Sequence, residues 1–311
     1  MPRMAVVFDT NIYRQISRAD LAEIVREQSE CSVLACANFW TIMELGAHLA
    51  DPTDPDLRRC HEALQAVWVH CTQYDGSSAQ LRVTADSDSQ LALSLFGRSL
   101  PGRVEETNRY AFLLESLANS PAGVVPPAVQ PLVEHLRLHR DEIEATFAQD
   151  MMNVVKGIDP SAKGWQPFPD DSEKRNAELR AVRAGRTLPV LATAMVVRAS
   201  AATGITIEDQ AEIIGRVRYI LDHFATPLHF YNGCLCKTIE SGIDYTVGKH
   251  ANSIWDFHLC FYGLPDASTN GMPLALVSNE RTIKTAAIQA GAADRVMTLD
   301  AFRDRLRGRR F

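Results

Sequence analysis

Val6-Val7-Phe8-Asp9-Thr10-Asn11 is the stretch on which the reading of this chain turns. The run from Met4 to Phe8 is apolar and β-branched, and it ends abruptly in Asp-Thr-Asn. That pattern predicts a buried strand followed by a turn. Outward from it, Ile12 to Gln28 shows helical spacing, and Cys31 to Ala35 reads as a second strand. Asn38 to Leu49 has helical period with Asn38 as a plausible N-cap. Asp51-Pro-Thr-Asp-Pro stops it, and Asp56 to Tyr74 is expected as a further helix. Strand alternating with helix argues for an α/β layer with a parallel sheet.

After Tyr74 the periodicity becomes mostly helical as far as Ser241. The expected helices are Glu105–Asn119, Val129–Gln149, Ser172–Ala184, Leu188–Thr203, Ile207–Phe224 and Leu228–Glu240. Loops rich in Pro, Gly and Asp separate them, and no fixed repeat period points to a solenoid. The α/β pattern then resumes. Asn252 to Tyr262 is expected as a helix and Pro273 to Val277 as a strand ending in Ser-Asn-Glu. Arg281 to Ala290 reads as a helix closed by Gly291, Arg295 to Met297 as a short strand, and Leu299 to Arg307 as a last helix. The economical organisation is one α/β unit made of residues 1–74 and 243–311, interrupted by a helical insertion over residues 75–242. Each flanking piece is too short to bury much core alone.

With 311 residues, 46% of them hydrophobic, the chain is long enough for a sizeable core. A formal net charge of −6 gives no whole-chain signal of nucleic-acid binding. Basic residues gather locally at Lys174, Arg175, Arg180, Arg183 and Arg186, and again at Arg303, Arg305, Arg307, Arg309 and Arg310. The ordinary reading of both groups is a solvated helix face. Seven cysteines form no C-x-x-C pair, and Cys234 and Cys236 lack zinc-type partners, so reduced thiols are expected. The opening residues are too poor in apolar side chains for a signal peptide. The run around Leu188 to Ala202 is broken by Arg198 and falls short of the roughly 20 residues a membrane span needs. A cytoplasmic protein with no membrane partner is expected.

Four carboxylates carry the functional reading. Asp9 stands at the end of the first strand and Glu280 just past the end of Pro273–Val277, and ligands of open parallel sheets bind at the carboxyl ends of strands. Glu44 lies mid-helix between Met43 and Leu45, and Asp256 lies mid-helix in Ile254-Trp255-Asp256-Phe257. A carboxylate among apolar neighbours is costly unless paired or metal-bound. Taken singly, each has a plainer reading. Asp9 is a turn or cap residue, Glu280 a first-turn acid favoured by the helix dipole, and Glu44 and Asp256 sit on solvent edges. Together, in one α/β order, they are harder to dismiss.

Val6-Val7-Phe8-Asp9-Thr10-Asn11 resembles the opening of the PIN domain family, a strand ending in Asp-Thr-Asn or Asp-Thr-Ser. The helix around Glu44 resembles that family's second acidic position. Asp256-Phe257-His258-Leu259-Cys260-Phe261-Tyr262-Gly263 resembles its helix that starts with Asp. Leu276-Val277-Ser278-Asn279-Glu280 resembles its strand ending in Thr-x-Asp, and Val296-Met297-Thr298-Leu299-Asp300-Ala301-Phe302 its final strand and helix. The likeness covers residues 4–74 and 243–311. Glu280 replaces the commoner Asp, and residues 75–242 have no counterpart in a minimal PIN domain. Small PIN proteins often act as toxins held by an antitoxin, and this chain is far longer than they are.

The resemblance implies a PIN-like three-layer fold around a central parallel sheet. It implies a nuclease that hydrolyses phosphodiesters, single-stranded RNA foremost, with Mg²⁺ or Mn²⁺ as cofactor, since hard cations take oxygen ligands. Asp9 would be the central ligand, Asp256 and Glu280 would complete the shell, and Glu44 would bind directly or through water. Two such ions about 3.5–4 Å apart can clamp the attacking and leaving oxygens. Thr10, Asn11 and Ser278 would orient ligands or substrate phosphate, and Asn279 would do the same or cap the following helix. The alternative is a PIN-like module without activity that binds nucleic acid or protein. A protein partner or a homo-oligomer fits either.

Other motifs fall away. His135 and His139 are spaced i, i+4 but lack the Glu of H-E-x-x-H and a third ligand. His250 and His258 flank Asp256 and read as structural or exposed. Gly242 to Lys249 has its second glycine one residue too late for a phosphate loop, and His250 stands where Ser or Thr is required. Asn11 replaces the second Asp that a haloacid-dehalogenase-type phosphatase wants. There is no Gly-x-Ser-x-Gly elbow and no dinucleotide fingerprint.

Overall fold

The computed structural model describes residues 4–75 and 78–308; Arg309 and Arg310 of the second basic group lie outside them. The first strand, β1 (Met4–Phe8), is buried along its whole length. Helix α1 (Thr10–Gln15) follows directly, capped by Asp9. The expected helix Ile12–Gln28 is in fact two. Ile16 is extended, and Ser17 accepts from the Asp20 N–H at 3.0 Å to start α2 (Arg18–Cys31). A serine that caps competes with helix continuation, which is why the break falls there.

Strand β2 (Val33–Ala35) leads into α3 (Phe39–Ala47), where Asn38 Oδ1 accepts from the Thr41 N–H at 2.8 Å. After a short 3₁₀ turn comes α4 (Leu57–Cys71). The expected helix to Tyr74 stops at Cys71, because β3 (Thr72–Asp75) pairs antiparallel with β4 (Ser78–Leu81). This hairpin spans the expected boundary at residue 74. The chain beyond it returns to the sheet edge, with a parallel bridge between Ala37 and Val83. Helix α5 (Ser87–Phe96), which the periodicity did not announce, is capped by Asp86.

Then come α6 (Arg103–Ala118), α7 (Gln130–Ile158), α8 (Ser172–Arg183), α9 (Leu188–Thr203), α10 (Gln210–His223) and α11 (Ala225–Ser241). Helix α7 runs past Gln149 because Met151 and Val155 continue its buried face. The remainder is α12 (Ser253–Leu259), β5 (Ser268–Thr269), β6 (Met272–Val277), α13 (Arg281–Gln289), β7 (Val296–Met297) and α14 (Leu299–Arg307).

The molecule is α/β, with a small mixed sheet among many helices. β1 lies between β2 and β6, parallel to both; β7 pairs parallel with the end of β6, and β5 antiparallel with its start. The central strands read as unbroken apolar runs because helices cover both faces. The buried side chains form one contiguous cluster reaching from the sheet into the helical stretch. Gly46 on α3 shows how close that packing is: a Cβ there would lie 2.4 Å from Leu136 Cδ1 on α7. All seven cysteines are free thiols. No helix among the described residues is long and apolar enough to cross a membrane.

Five residues of the two basic groups pair with acids inside the molecule. Lys174, Arg183 and Arg186 pair with Asp171, Glu240 and Glu178. Arg303 and Arg307 tie α14 to Asp20, Glu23 and Glu27 of α2.

Candidate functional site at the carboxyl ends of the strands

Register fixes the first contact. β1 and β6 run in parallel with Phe8 opposite Val277, and the Asp9 N–H donates to the Val277 carbonyl at 3.0 Å. The residues that leave the two strands, Asp9 and Ser278, therefore emerge side by side. Ser278 Oγ donates to Asp9 Oδ2 at 2.6 Å and accepts from the Glu280 N–H at 3.0 Å. Both Asp9 and Ser278 are buried, at 1% exposure each. Asn11 closes the group: its N–H donates to Asp9 Oδ1 at 3.2 Å, and its Nδ2 to Glu280 Oε1 at 2.8 Å. One loop pair thus holds Asp9, Asn11, Ser278 and Glu280 in one network.

Glu44 and Asp256 approach from the helices. The Thr10 hydroxyl, which donates to Thr41 Oγ1 at 3.3 Å, also lowers the Glu44 carboxyl against the rise from burial. Helix α12 packs against α3, α11 and α13. It brings Asp256 into the field of Asp9, Glu280 and Glu44 together.

The electrostatics follow from burial without enough positive charge. Burial pushes Asp9 up from 3.8 to about 6, with the charge of Glu280 adding to the rise and the bonds from Ser278 and Asn11 opposing it. Burial pushes Glu44 up from 4.5 to about 7; Thr10 and Arg14 oppose, while Asp9 adds to the rise. Asp256 is raised well above the carboxylate range, first by burial and then by the charges of Asp9, Glu280 and Glu44, with Lys237 of α11 as the opposing cation. Like charges gathered in a poorly solvated place favour the neutral acid. A divalent cation reverses that preference, and an all-oxygen donor set suits Mg²⁺ or Mn²⁺.

The spacing is open. No three of the four acids present oxygens all within 4.8 Å of one another; among the described residues the trio that does is His48, Asp54 and Asp56. That trio is already occupied. His48 Nδ1 bonds to Asp54 Oδ2 at 2.8 Å, Arg14 Nη2 lies 3.1 Å from His48 Nε2, and the same guanidinium lies 4.0 Å from Asp56. A guanidinium among a histidine and two acids supplies the positive charge a metal would bring. The trio reads as a brace between α1 and the turn after α3.

Of the eight residues singled out from the sequence, Asp9, Asn11, Ser278 and Glu280 share one hydrogen-bond network, Thr10 follows Asp9 at its edge, and Glu44 and Asp256 lie within the electrostatic reach of these acids. Asn279 does not share the network. It is exposed, and its Oδ1 accepts from the Leu299 N–H at 3.2 Å, tying the end of β6 to α14 rather than capping α13. His258 turns away from the acids into the core, stacked on Trp40 at 3.7 Å and joined to Ser87 Oγ at 2.7 Å.

The sequence did not single out Glu144. It projects from α7, accepts from the Trp255 indole N–H at 2.8 Å, and its charge acts on Glu44. Beside Asp141 and Glu142 it looked like one more solvated helix acid. Only the fold sets it next to Trp255, the neighbour of Asp256. In comparisons with known proteins, no family model, no curated protein and no solved structure matches the chain.

Proposed function

We propose that the chain is a PIN-like, metal-dependent nuclease that hydrolyses phosphodiester bonds in single-stranded RNA. In this reading residues 1–74 and 243–311 make a PIN-like three-layer unit and residues 75–242 are a helical insertion. The observation that carries it is the network of Asp9, Ser278, Glu280 and Asn11 at the carboxyl ends of β1 and β6, with Asp9, Glu44 and Asp256 each raised by burial and by its acidic neighbours.

Asp9, Asp256 and Glu280 would hold Mg²⁺ or Mn²⁺, with Glu44 binding directly or through water. Bound there, the metal supplies Lewis-acid polarisation of a phosphoryl oxygen and a water acidic enough to act as nucleophile near neutral pH. The protein's own part is orientation. Ser278 fixes the plane of the Asp9 carboxylate and Asn11 that of Glu280. Such supporting bonds keep ligands from reorganising when charge develops. Asp256 has no hydrogen bond or ion pair among the described residues, which leaves its oxygens free for a cation or water.

The open spacing of the four acids favours a second reading, a PIN-like module that binds nucleic acid or protein without cutting it. Incubating a mixed pool of RNA and single-stranded DNA with Mn²⁺ separates the two. The nuclease reading expects fragments of RNA from the wild type and none from Asp9→Asn. Binding of the pool with no fragments from either protein would favour the inactive module.

A further inference from the structure

Helix α1 leads from the acidic site to a surface of opposite sign. Asp9 caps its start, and its six residues carry the chain about 9 Å at 1.5 Å per residue. At its far end Tyr13 and Arg14 line an open groove of about 710 Å³ between α1, α2, α4 and the loop after α6. Arg18 and Arg59 line it as well, together with apolar Leu21, Ala66 and Val69.

Two exposed arginines on one groove, Arg18 and Arg59, stand out in a chain of net charge −6, and their partners leave their charge uncompensated. Arg18 bonds to Gln65 Oε1 at 3.2 Å and Arg59 to the Arg14 carbonyl at 3.1 Å. Both acceptors are neutral, and neither guanidinium pairs with a carboxylate among the described residues. Glu62, the acid lining the groove, is paired with Arg58 at 3.2 Å. Both Arg18 and Arg59 are exposed. Arg14 is the link to the acids, since its charge and that of Glu44 act on each other.

We propose that this groove, through Arg18 and Arg59, binds the sugar-phosphate backbone of a single-stranded nucleic acid whose reacting phosphate lies at the carboxylates. The inference rests on the nuclease reading of those carboxylates and adds where the strand runs. Guanidinium groups match phosphate oxygens in a planar, bidentate fashion. The apolar side chains that share the groove suit sugars and base faces. An acidic site repels the polyanion it is to cut, so a basic track beside it supplies the attraction that the site itself cannot.

The test pairs binding with a substrate too small to reach the groove. Fluorescence anisotropy with labelled poly(U) in EDTA, across a salt series, reads binding. Hydrolysis of bis(p-nitrophenyl) phosphate with Mn²⁺ reads the carboxylates. The variants are Arg18→Glu/Arg59→Glu and, as a charge control, Arg180→Glu/Arg218→Glu on exposed faces of α8 and α10.

The groove variant is expected to bind poly(U) on the order of 10-fold more weakly. Its log–log salt slope should be shallower by about 1.4, the value for two lost single-strand phosphate contacts, with hydrolysis of the small diester at the wild-type rate. The control should bind as the wild type does. Unchanged poly(U) binding in the groove variant, or an equal loss in the control, would overturn the groove while leaving the nuclease reading intact if the small diester is still cut. A wild type that neither binds poly(U) nor cuts the diester would overturn both.

Discussion

Ser278 Oγ and Asp9 Oδ2 lie 2.6 Å apart although 269 positions separate the two residues in the chain. The bond is dictated by register: β1 and β6 are parallel neighbours, so the first residue past each strand faces the other. Its hydroxyl also accepts the Glu280 backbone N–H, so one side chain orients the Asp9 carboxylate and holds the backbone that carries Glu280. Ser278→Ala should therefore leave the fold in place, at a cost of about 1 kcal/mol for a buried hydrogen bond lost. It should lower cleavage on the order of 10–100-fold by loosening Asp9 and Glu280. Thermal melts beside a cleavage time course check both parts; a variant with wild-type activity would mean the serine orients nothing.

Stability should depend on pH through Asp9 in a definite direction. Its folded pKa of about 6 lies above the usual 3.8, so the folded protein holds the proton where the unfolded chain has released it. Asp9 costs nothing below about pH 4, and the penalty for its charge is fully present only above the folded value. Without metal, the wild type should thus lose stability relative to Asp9→Asn as pH rises from about 4 to about 7, by on the order of 2 kcal/mol. The measurement is the difference in melting temperature between the two proteins at pH 4.5 and 7.5 in EDTA. A difference that stays constant or shrinks toward neutral pH contradicts the assignment.

Helix α7 must press closely on α3 for Glu144 to stand beside Glu44 and Trp255. The bare Cα of Gly46 allows that approach, because a Cβ would meet the buried Leu136 at 2.4 Å. Gly46→Ala should destabilise the protein by roughly 1–3 kcal/mol through overpacking, and combining it with Leu136→Ala should cost less than the sum of the two single changes, because the clash disappears with the leucine. Chemical denaturation of the three variants gives the comparison; additive losses would show that the two side chains do not meet.

Glu144→Gln keeps an oxygen for the Trp255 indole but removes a charge that acts on Glu44. Little change in melting temperature is expected, with a several-fold change in the Mn²⁺ concentration that gives half-maximal cleavage. Wild-type Mn²⁺ dependence in this variant would confine Glu144 to holding Trp255.

Much of the site was legible because its residues sit where local rules are strong. Asp9 closes an apolar β-branched run, Glu280 follows another, and Glu44 and Asp256 interrupt apolar helical faces. What stayed hidden depends on tertiary packing. Glu144 lies among ordinary helix charges, and only α7 crossing α3 and α12 gives it meaning. Asn279 shares the Ser-Asn-Glu turn with Ser278, yet the backbone there sends alternate side chains to opposite sides. Thr72 to Tyr74, the start of β3, read as helix because they continue directly from an amphipathic helix with no breaker between them.

The central claim is that Asp9 anchors a divalent-cation site built with Glu44, Asp256 and Glu280, and a thermal melt with and without Mn²⁺ tests it most directly. A cation that binds only the folded state raises the melting temperature by mass action. The wild type should shift upward by several degrees at millimolar Mn²⁺ while Asp9→Asn shifts little. Equal shifts in the two proteins, or none in the wild type, would contradict it.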